Sequence, residues 1–239
     1  MSALAANSRK DLTFVDPAEY TPHFAWKRPS REKHVEHVFC EGVDLVTTAA
    51  QFGTPTYLYS SAAITDAYRE FHRGLSKIPR TICFAVKSNG NLSLLNHLAK
   101  LGSGFDIVSA GELEHLGHLG VGGDRIVFSG VGKTRYEIRD ALQYSPARRG
   151  GVAHHGRGIL LFNVESEAEL EVLLEESERH KRSGGKIPSV AIRVNPDVAA
   201  GGHPHIATGS HTHKFGLDWP EAHRLYMVHK DSKYLRTSK

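Results

Sequence analysis

A regular alternation of short apolar runs with amphipathic segments, running from Ile82 to Val228, constrains this chain more than any other feature. The spacing predicts strands over 82–86, 105–108, 125–128, 159–162 and 190–194, separated by helices over 92–101, 112–119, 136–142, 167–178 and 221–228. The helices rest on spacing: Leu92, Leu95, Leu98 and Leu101 share one face, as do Leu170, Leu173 and Leu174. Periodicity alone cannot separate a short apolar run from a buried helix, so the strands rest on their place in the alternation. A βαβα order implies a parallel sheet covered by helices. About five βα units follow Thr56 to Tyr59, whereas a closed (β/α)8 barrel takes eight and roughly 250 residues. A doubly wound open sheet is the competing architecture.

The front of the chain is different. Residues 1 to about 36, with Pro17, Pro22 and Pro29, lack periodicity and read as a loose extension or a strand lent to another domain. An amphipathic stretch, 43–52, leads through Gly53-Thr-Pro55 into the β-rich run Thr56-Tyr-Leu-Tyr59, closed by Ser60-Ser61 as a helix cap. Gly150-Gly151 and Gly184-Gly185 read as solvated loops. At 40% hydrophobic and 23% charged residues, the chain can bury a core and is not of the disordered class. Its 30 basic and 26 acidic residues are interleaved, which argues against a nucleic-acid surface. Two cysteines, Cys40 and Cys83, imply no disulfide framework. With no apolar run near the roughly 20 residues of a membrane helix, and no signal-like N-terminus, the expected place is the cytoplasm and no membrane partner is expected.

Several residues could carry chemistry. Lys87 ends the run Thr81-Ile-Cys-Phe-Ala-Val-Lys87 where the chain turns towards a helix, the place at which barrel enzymes put working residues. A lysine there can serve as an amine nucleophile towards a carbonyl cofactor, or simply reach solvent along its apolar stem. Asp106 follows a glycine-rich turn at a strand start, where an ordinary solvated aspartate is also expected. Arg193, among apolar neighbours inside a strand, must meet a polar interior or a carboxylate, so it is either a structural ion pair or an active-site group. Gly130-Val-Gly-Lys-Thr134 is close to a phosphate-binding loop, but its first glycine would fall at Val127, inside a strand, leaving the cradle incomplete. The pairs His203/His205 and His211/His213 could share a metal; solvated loop histidines are the default, and no metal is expected.

Six runs, in order, carry a resemblance: Phe84-Ala-Val-Lys-Ser-Asn89, Gly102-Ser-Gly-Phe-Asp-Ile-Val-Ser-Ala-Gly-Glu-Leu113, Ile126-Val-Phe-Ser-Gly-Val-Gly-Lys-Thr134, Phe162-Asn-Val-Glu-Ser166, Arg193-Val-Asn-Pro-Asp197 and Lys214-Phe-Gly216. Together they closely resemble the diaminopimelate decarboxylases, over a span from about Gly42 to about Tyr234. The resemblance implies a fold-type III enzyme that uses pyridoxal 5'-phosphate to release carbon dioxide from meso-diaminopimelate, giving L-lysine. It implies an N-terminal extension over 1–41 and part of a cofactor-binding (β/α)8 barrel domain over 42–239. Lys87 matches the lysine that holds the cofactor covalently, and Asp106 and Arg193 match groups lining the cofactor side of the barrel.

Four features of that family have no counterpart in the sequence: the histidine stacking on the cofactor, the glycine-rich phosphate loop, the later Glu-Pro-Gly-Arg-type segment, and the β-rich second domain with a catalytic cysteine. Family members form homodimers in which that cysteine enters the neighbour's site. The expectation is therefore a barrel that stops partway round, with unpaired strand edges and little activity alone. Ornithine or arginine decarboxylases, and a non-catalytic cofactor-binding barrel protein, are the alternatives.

Overall fold

The computed structural model describes residues 23–29, 35–146, 156–196 and 215–237. The chain divides into two compact units, Met1–Glu70 and Phe71–Lys239.

In the first unit, β1 (Phe24–Lys27), β2 (His37–Cys40) and β3 (Val43–Asp44) form an antiparallel sheet in that order. Of residues 1–36, expected as a loose extension or a strand lent to another domain, Phe24–Lys27 is a strand, and it pairs within this chain to His37–Cys40. Asp44 caps α1 (Leu45–Phe52), its carboxylate accepting the Val46 N–H at 3.0 Å. Residues 56–59 are not a strand: among the described residues none pairs with them, and Tyr57 is 88% exposed. Tyrosine fits a pleated, half-buried surface, and without a partner strand that preference forms nothing. Ser60 does cap α2 (Ser61–Gly74), accepting the Ala63 N–H at 3.0 Å.

The second unit holds β4 (Cys83–Ala85), β5 (Gly104–Ile107), β6 (Ile126–Phe128), β7 (Leu161–Val164), β8 (Ser189–Ile192) and β9 (Arg236–Thr237). Helices α3 (Leu92–Leu101), α4 (Ala110–His118), α5 (Arg135–Leu142), α6 (Glu167–Arg182) and α7 (Trp219–His229) alternate with them. All six strands are parallel, and their order in the sheet is their order in the chain. This order decides between the two expected architectures. A doubly wound sheet reverses direction at a switch point, whereas successive right-handed crossovers that never reverse put every helix on one face, as in a barrel. Among the described residues five βα units are present, as expected, and a sixth strand follows them: Arg236 and Thr237 pair with Ser189 and Val190. A two-residue polar strand has no apolar run by which to be seen.

Burial alternates along the strands. Phe105, Ile107, Ile126, Phe128, Phe162, Val164 and Val190 are buried, while Asp106, Val127, Asn163 and Ala191 between them are half-buried. The first set packs beneath the helices, each large side chain contributing roughly 1.5–3 kcal/mol. The second set faces the opposite side, so alternation alone sends Asp106 and Asn163 towards the interior that a barrel would enclose. Close packing between strands requires a glycine at 104, where a Cβ would lie 2.8 Å from Cys83 Sγ and 2.9 Å from the Arg125 carbonyl oxygen. Gly102 ends α3 with φ 94°, its N–H returning to the carbonyls of Ala99 and Leu98. Among the described residues, no helix is long and apolar enough to cross a membrane.

Candidate functional site

The carboxyl ends of the parallel strands surround a cavity of about 620 Å³ lined by Lys87, Asp106, Ser129, Asn163, Arg193 and Phe215, among others. The first five come from, or directly follow, β4 to β8 in turn. Side chains from five different strands meet at one end of the sheet, the end at which barrel sites are built.

Lys87 lies just past the strand, not at its last position. It is the middle residue of a 3₁₀ turn, Val86–Ser88, fixed by buried Val86, by the Ser88 hydroxyl donating to the Ala85 carbonyl at 2.7 Å, and by the Asn89 N–H donating to Val86 at 3.0 Å. The turn holds the backbone while the Lys87 side chain is exposed at the cavity. Among the described residues, no acceptor takes its ammonium.

Asp106 is the third residue of β5, not part of the turn before it, and faces the cavity from the inner side of the sheet. Its Oδ1 accepts the Ser129 hydroxyl, and Ser129 Oγ accepts Asn163 Nδ2–H at 2.9 Å. A short polar chain across β5, β6 and β7 thus fixes one carboxylate oxygen and leaves the other as an acceptor. Ser129 and Asn163 stand in the quoted motifs, yet nothing in their local sequence distinguishes them, because the contact crosses three strands.

Arg193 follows β8 by one residue instead of lying inside it, so it escapes the packed layer. Its guanidinium sits 5.0 Å from the Phe215 ring centre and donates through Nη1 to Glu165 Oε1 at 2.8 Å. Arg193 is therefore ion-paired, and it also lines the cavity.

The Gly130-Val-Gly-Lys-Thr134 run is structural. The Lys133 side chain is wholly buried, its ammonium donating to the carbonyls of Gly130 and Asn163, both at 2.7 Å, and to Glu169 Oε1 at 2.8 Å. With three acceptors filled, it has no donor for a phosphate. Burial pushes the Glu169 carboxyl up, and the Lys133 charge opposes that rise. Thr134 instead forms a reciprocal capping box with Glu137 at the start of α5.

That box belongs to a repeat absent from the expectations above. Ser109, Thr134, Ser166 and Asp218 cap four successive helices and are each followed at the third position by a glutamate: Glu112, Glu137, Glu169 and Glu221. Three of these glutamates also tie down backbone of the site-facing loops. Glu112 accepts the Val108 N–H at 2.7 Å, Glu137 the Ala110 N–H at 2.9 Å, and Glu169 the Glu165 N–H at 3.2 Å. The spacing Ser/Thr-x-x-Glu was available in the sequence as the signal.

His203, His205, His211, His213, Asp197 and Lys214 lie outside the described residues. Among the described residues, no three His, Cys, Asp or Glu side chains gather to hold a metal. Among the described residues, the cavity offers a primary amine that no acceptor holds, an anchored carboxylate, and a guanidinium with N–H donors beyond the one given to Glu165. Its volume falls within the range of small-molecule sites.

A family model described as pyridoxal-dependent decarboxylase, pyridoxal binding domain, matches residues 61–236. Diaminopimelate decarboxylase from Pseudomonas aeruginosa is 48% identical over 191 residues, covering 79% of this chain and 41% of that protein. The Pseudomonas fluorescens diaminopimelate decarboxylase is 46% identical over 190 residues, covering 80% and 42%. Among solved structures, diaminopimelate decarboxylase from M. jannaschi superposes with a TM-score of 0.72 at 30% identity, covering 90% of this chain and 46% of that one. The chain thus spans less than half the length of these relatives.

Proposed function

The chain belongs to the pyridoxal-dependent decarboxylases, which it matches through their pyridoxal-binding domain, and on that premise we propose that it serves the decarboxylation of meso-diaminopimelate to L-lysine, with Lys87 as the attachment point of pyridoxal 5'-phosphate. The observation that carries this reading is the exposed Lys87 ammonium, without an acceptor among the described residues, in a cavity it shares with Asp106 and Arg193. The cavity suits the cofactor: it pairs a lysine able to bond an aldehyde carbon with donors and an acceptor for polar ring and phosphate groups.

Bound pyridoxal phosphate supplies the sink for the electron pair left on the substrate carbon when carbon dioxide departs. The protein does the rest by position. Lys87 carries a flexible four-carbon stem on a backbone locked by the 3₁₀ turn, so its Nζ can reach and release a carbonyl carbon without moving the strand. Asp106 offers the carboxylate oxygen not bound by Ser129 as a proton acceptor at a fixed point of the inner wall. Arg193 spends Nη1 on Glu165, and among the described residues its Nε and Nη2 have no other acceptor, which suits an anionic group.

Identity of 46–48% to diaminopimelate decarboxylases favours that substrate over ornithine or arginine. By the same reading, residues 42–239 are the cofactor-binding barrel part, and the cytoplasm and a homodimer are its setting. The test is carbon dioxide release and lysine formation by the chain supplied with pyridoxal phosphate and meso-diaminopimelate, run beside ornithine and arginine. Release from diaminopimelate alone supports the proposal. Release from ornithine or arginine but not from diaminopimelate overturns the substrate assignment, and release from none overturns activity of the chain as it stands.

A further inference from the structure

We infer that Glu165 is a positioning residue that aims the Arg193 guanidinium into the cofactor cavity, an inference that rests on the cofactor-binding reading above. The Glu165 side chain is 1% exposed, whereas that of Arg193 is 39% exposed. A buried carboxylate is costly unless its oxygens are occupied, and here the occupants come from three separate segments. Oε1 accepts the Gly130 N–H at 2.9 Å and Arg193 Nη1 at 2.8 Å, and Oε2 accepts the Gly216 N–H at 3.2 Å.

One carboxylate therefore joins the loop after β6, the residue after β8 and the turn that precedes α7. Gly216 is held close, with φ 78°, and a Cβ there would lie 3.0 Å from the Arg193 carbonyl oxygen. Arginine carries about 2 kcal/mol of rotamer entropy, so a half-exposed guanidinium would otherwise sample solvent. Glu165 pins one of its nitrogens and Phe215 covers its face, so that among the described residues Nε and Nη2 have no acceptor and stand at the cavity wall. Because Glu165 also takes the Gly130 N–H, that loop is left with one donor fewer for any anion, which throws the task onto Arg193.

Substituting Glu165→Gln keeps the shape. If the amide oxygen stays at Oε1, the amide nitrogen meets the Gly216 N–H, donor against donor, and the charge on Arg193 is no longer matched. The experiment is a double-mutant cycle on the full chain with pyridoxal phosphate as the probe: wild type, E165Q, R193A and the double variant. Affinity is followed by the absorbance of the bound cofactor, its pH titration is recorded, and thermal melting is measured beside it. We expect E165Q and R193A each to weaken binding about tenfold, a coupling of about 1.4 kcal/mol. The double variant then binds no worse than R193A alone, and the absorbance titration midpoint shifts in E165Q.

Wild-type affinity in E165Q, or losses that multiply in the double variant, overturns the inference, since a merely structural glutamate lowers the melting temperature independently of Arg193. Should E165Q not fold, R193K carries the test. An ammonium cannot both keep the Glu165 contact and present further planar donors, so a loss of about tenfold is expected, and unchanged binding overturns the inference. Wild-type chain that takes up no cofactor at Lys87 overturns the functional reading itself, a result distinct from E165Q matching a wild type that is labelled.

Discussion

Replacing Lys133 by methionine keeps the stem and removes the ammonium at the most enclosed ion pair near the site. The Lys133 side chain is 0% exposed and that of Glu169 7%, so solvent cannot compensate either partner. The change strands a buried carboxylate and removes the donor from the Gly130 and Asn163 carbonyls. Breaking a buried pair in this way costs about 3–5 kcal/mol. For a unit of this size, each kcal/mol moves the melting temperature by about 2–4 °C, so the drop at neutral pH should be roughly 6–20 °C. The pH dependence has a definite sign. Burial already raises the Glu169 carboxyl above its ordinary value of 4.5, and losing Lys133 removes the main opposing influence. With the folded-state pKa above the unfolded one, the folded form holds the proton more tightly. Glu169→protonated stability is therefore fully present below about pH 4.5 and lost as pH rises through the folded value. Lys133→Met should lag wild type most at pH 7 to 8 and recover towards pH 4.5 in denaturant or thermal unfolding. A gap below about 1 kcal/mol, or one constant across that range, refutes the account of Lys133 as a buried clamp.

Glu176, 2% exposed, gathers Arg135, Arg139 and Arg179, whose hydrogen bonds and charge hold its carboxyl down at about 2. Its folded pKa lies below the unfolded one, so the stability it contributes is present above about pH 4.5 and lost as pH falls towards 2. With three half-exposed to exposed arginines as partners, Glu176→Gln should cost on the order of 2 kcal/mol at pH 7 and flatten the acid limb of the stability profile between pH 4.5 and 2. Gly104→Ala forces a methyl against Cys83 and the Arg125 carbonyl and should cost about 1–3 kcal/mol in equilibrium unfolding, with a loss below 0.5 kcal/mol counting against the strand packing described.

The helices were legible because leucines at i, i+3 and i+4 leave a mark that survives without neighbours: α3 spans Leu92–Leu101, as the spacing predicts. The strands moved by a residue or two at their ends, since a short apolar run does not show where pairing stops. Strand β7, for instance, runs Leu161–Val164, two residues later than expected, because Asn163 belongs to its inner face. Thr56 to Tyr59 had strand-like composition without a partner, and Arg236–Thr237 had a partner without strand-like composition. Pairing, not propensity, decides such short elements. In the site, Lys87, Asp106 and Arg193 could be picked out by motif, and all three line one cavity. Ser129, Asn163 and Glu165 lie in the same motifs but nothing local marks them, because their roles consist of contacts between segments 23 to 51 positions apart in the chain. Loop spacing alone argues against a phosphate cradle at Gly130–Thr134, but the burial of Lys133 against Glu169 is visible only in the fold.

Incubation with pyridoxal phosphate, borohydride reduction and peptide mapping tests the central claim most directly. The account predicts a single modified residue, Lys87, and no label in Lys87→Ala, which should keep the wild-type melting behaviour because an exposed side chain without partners among the described residues contributes little to stability. Label spread over several lysines, or retained in Lys87→Ala, would contradict it.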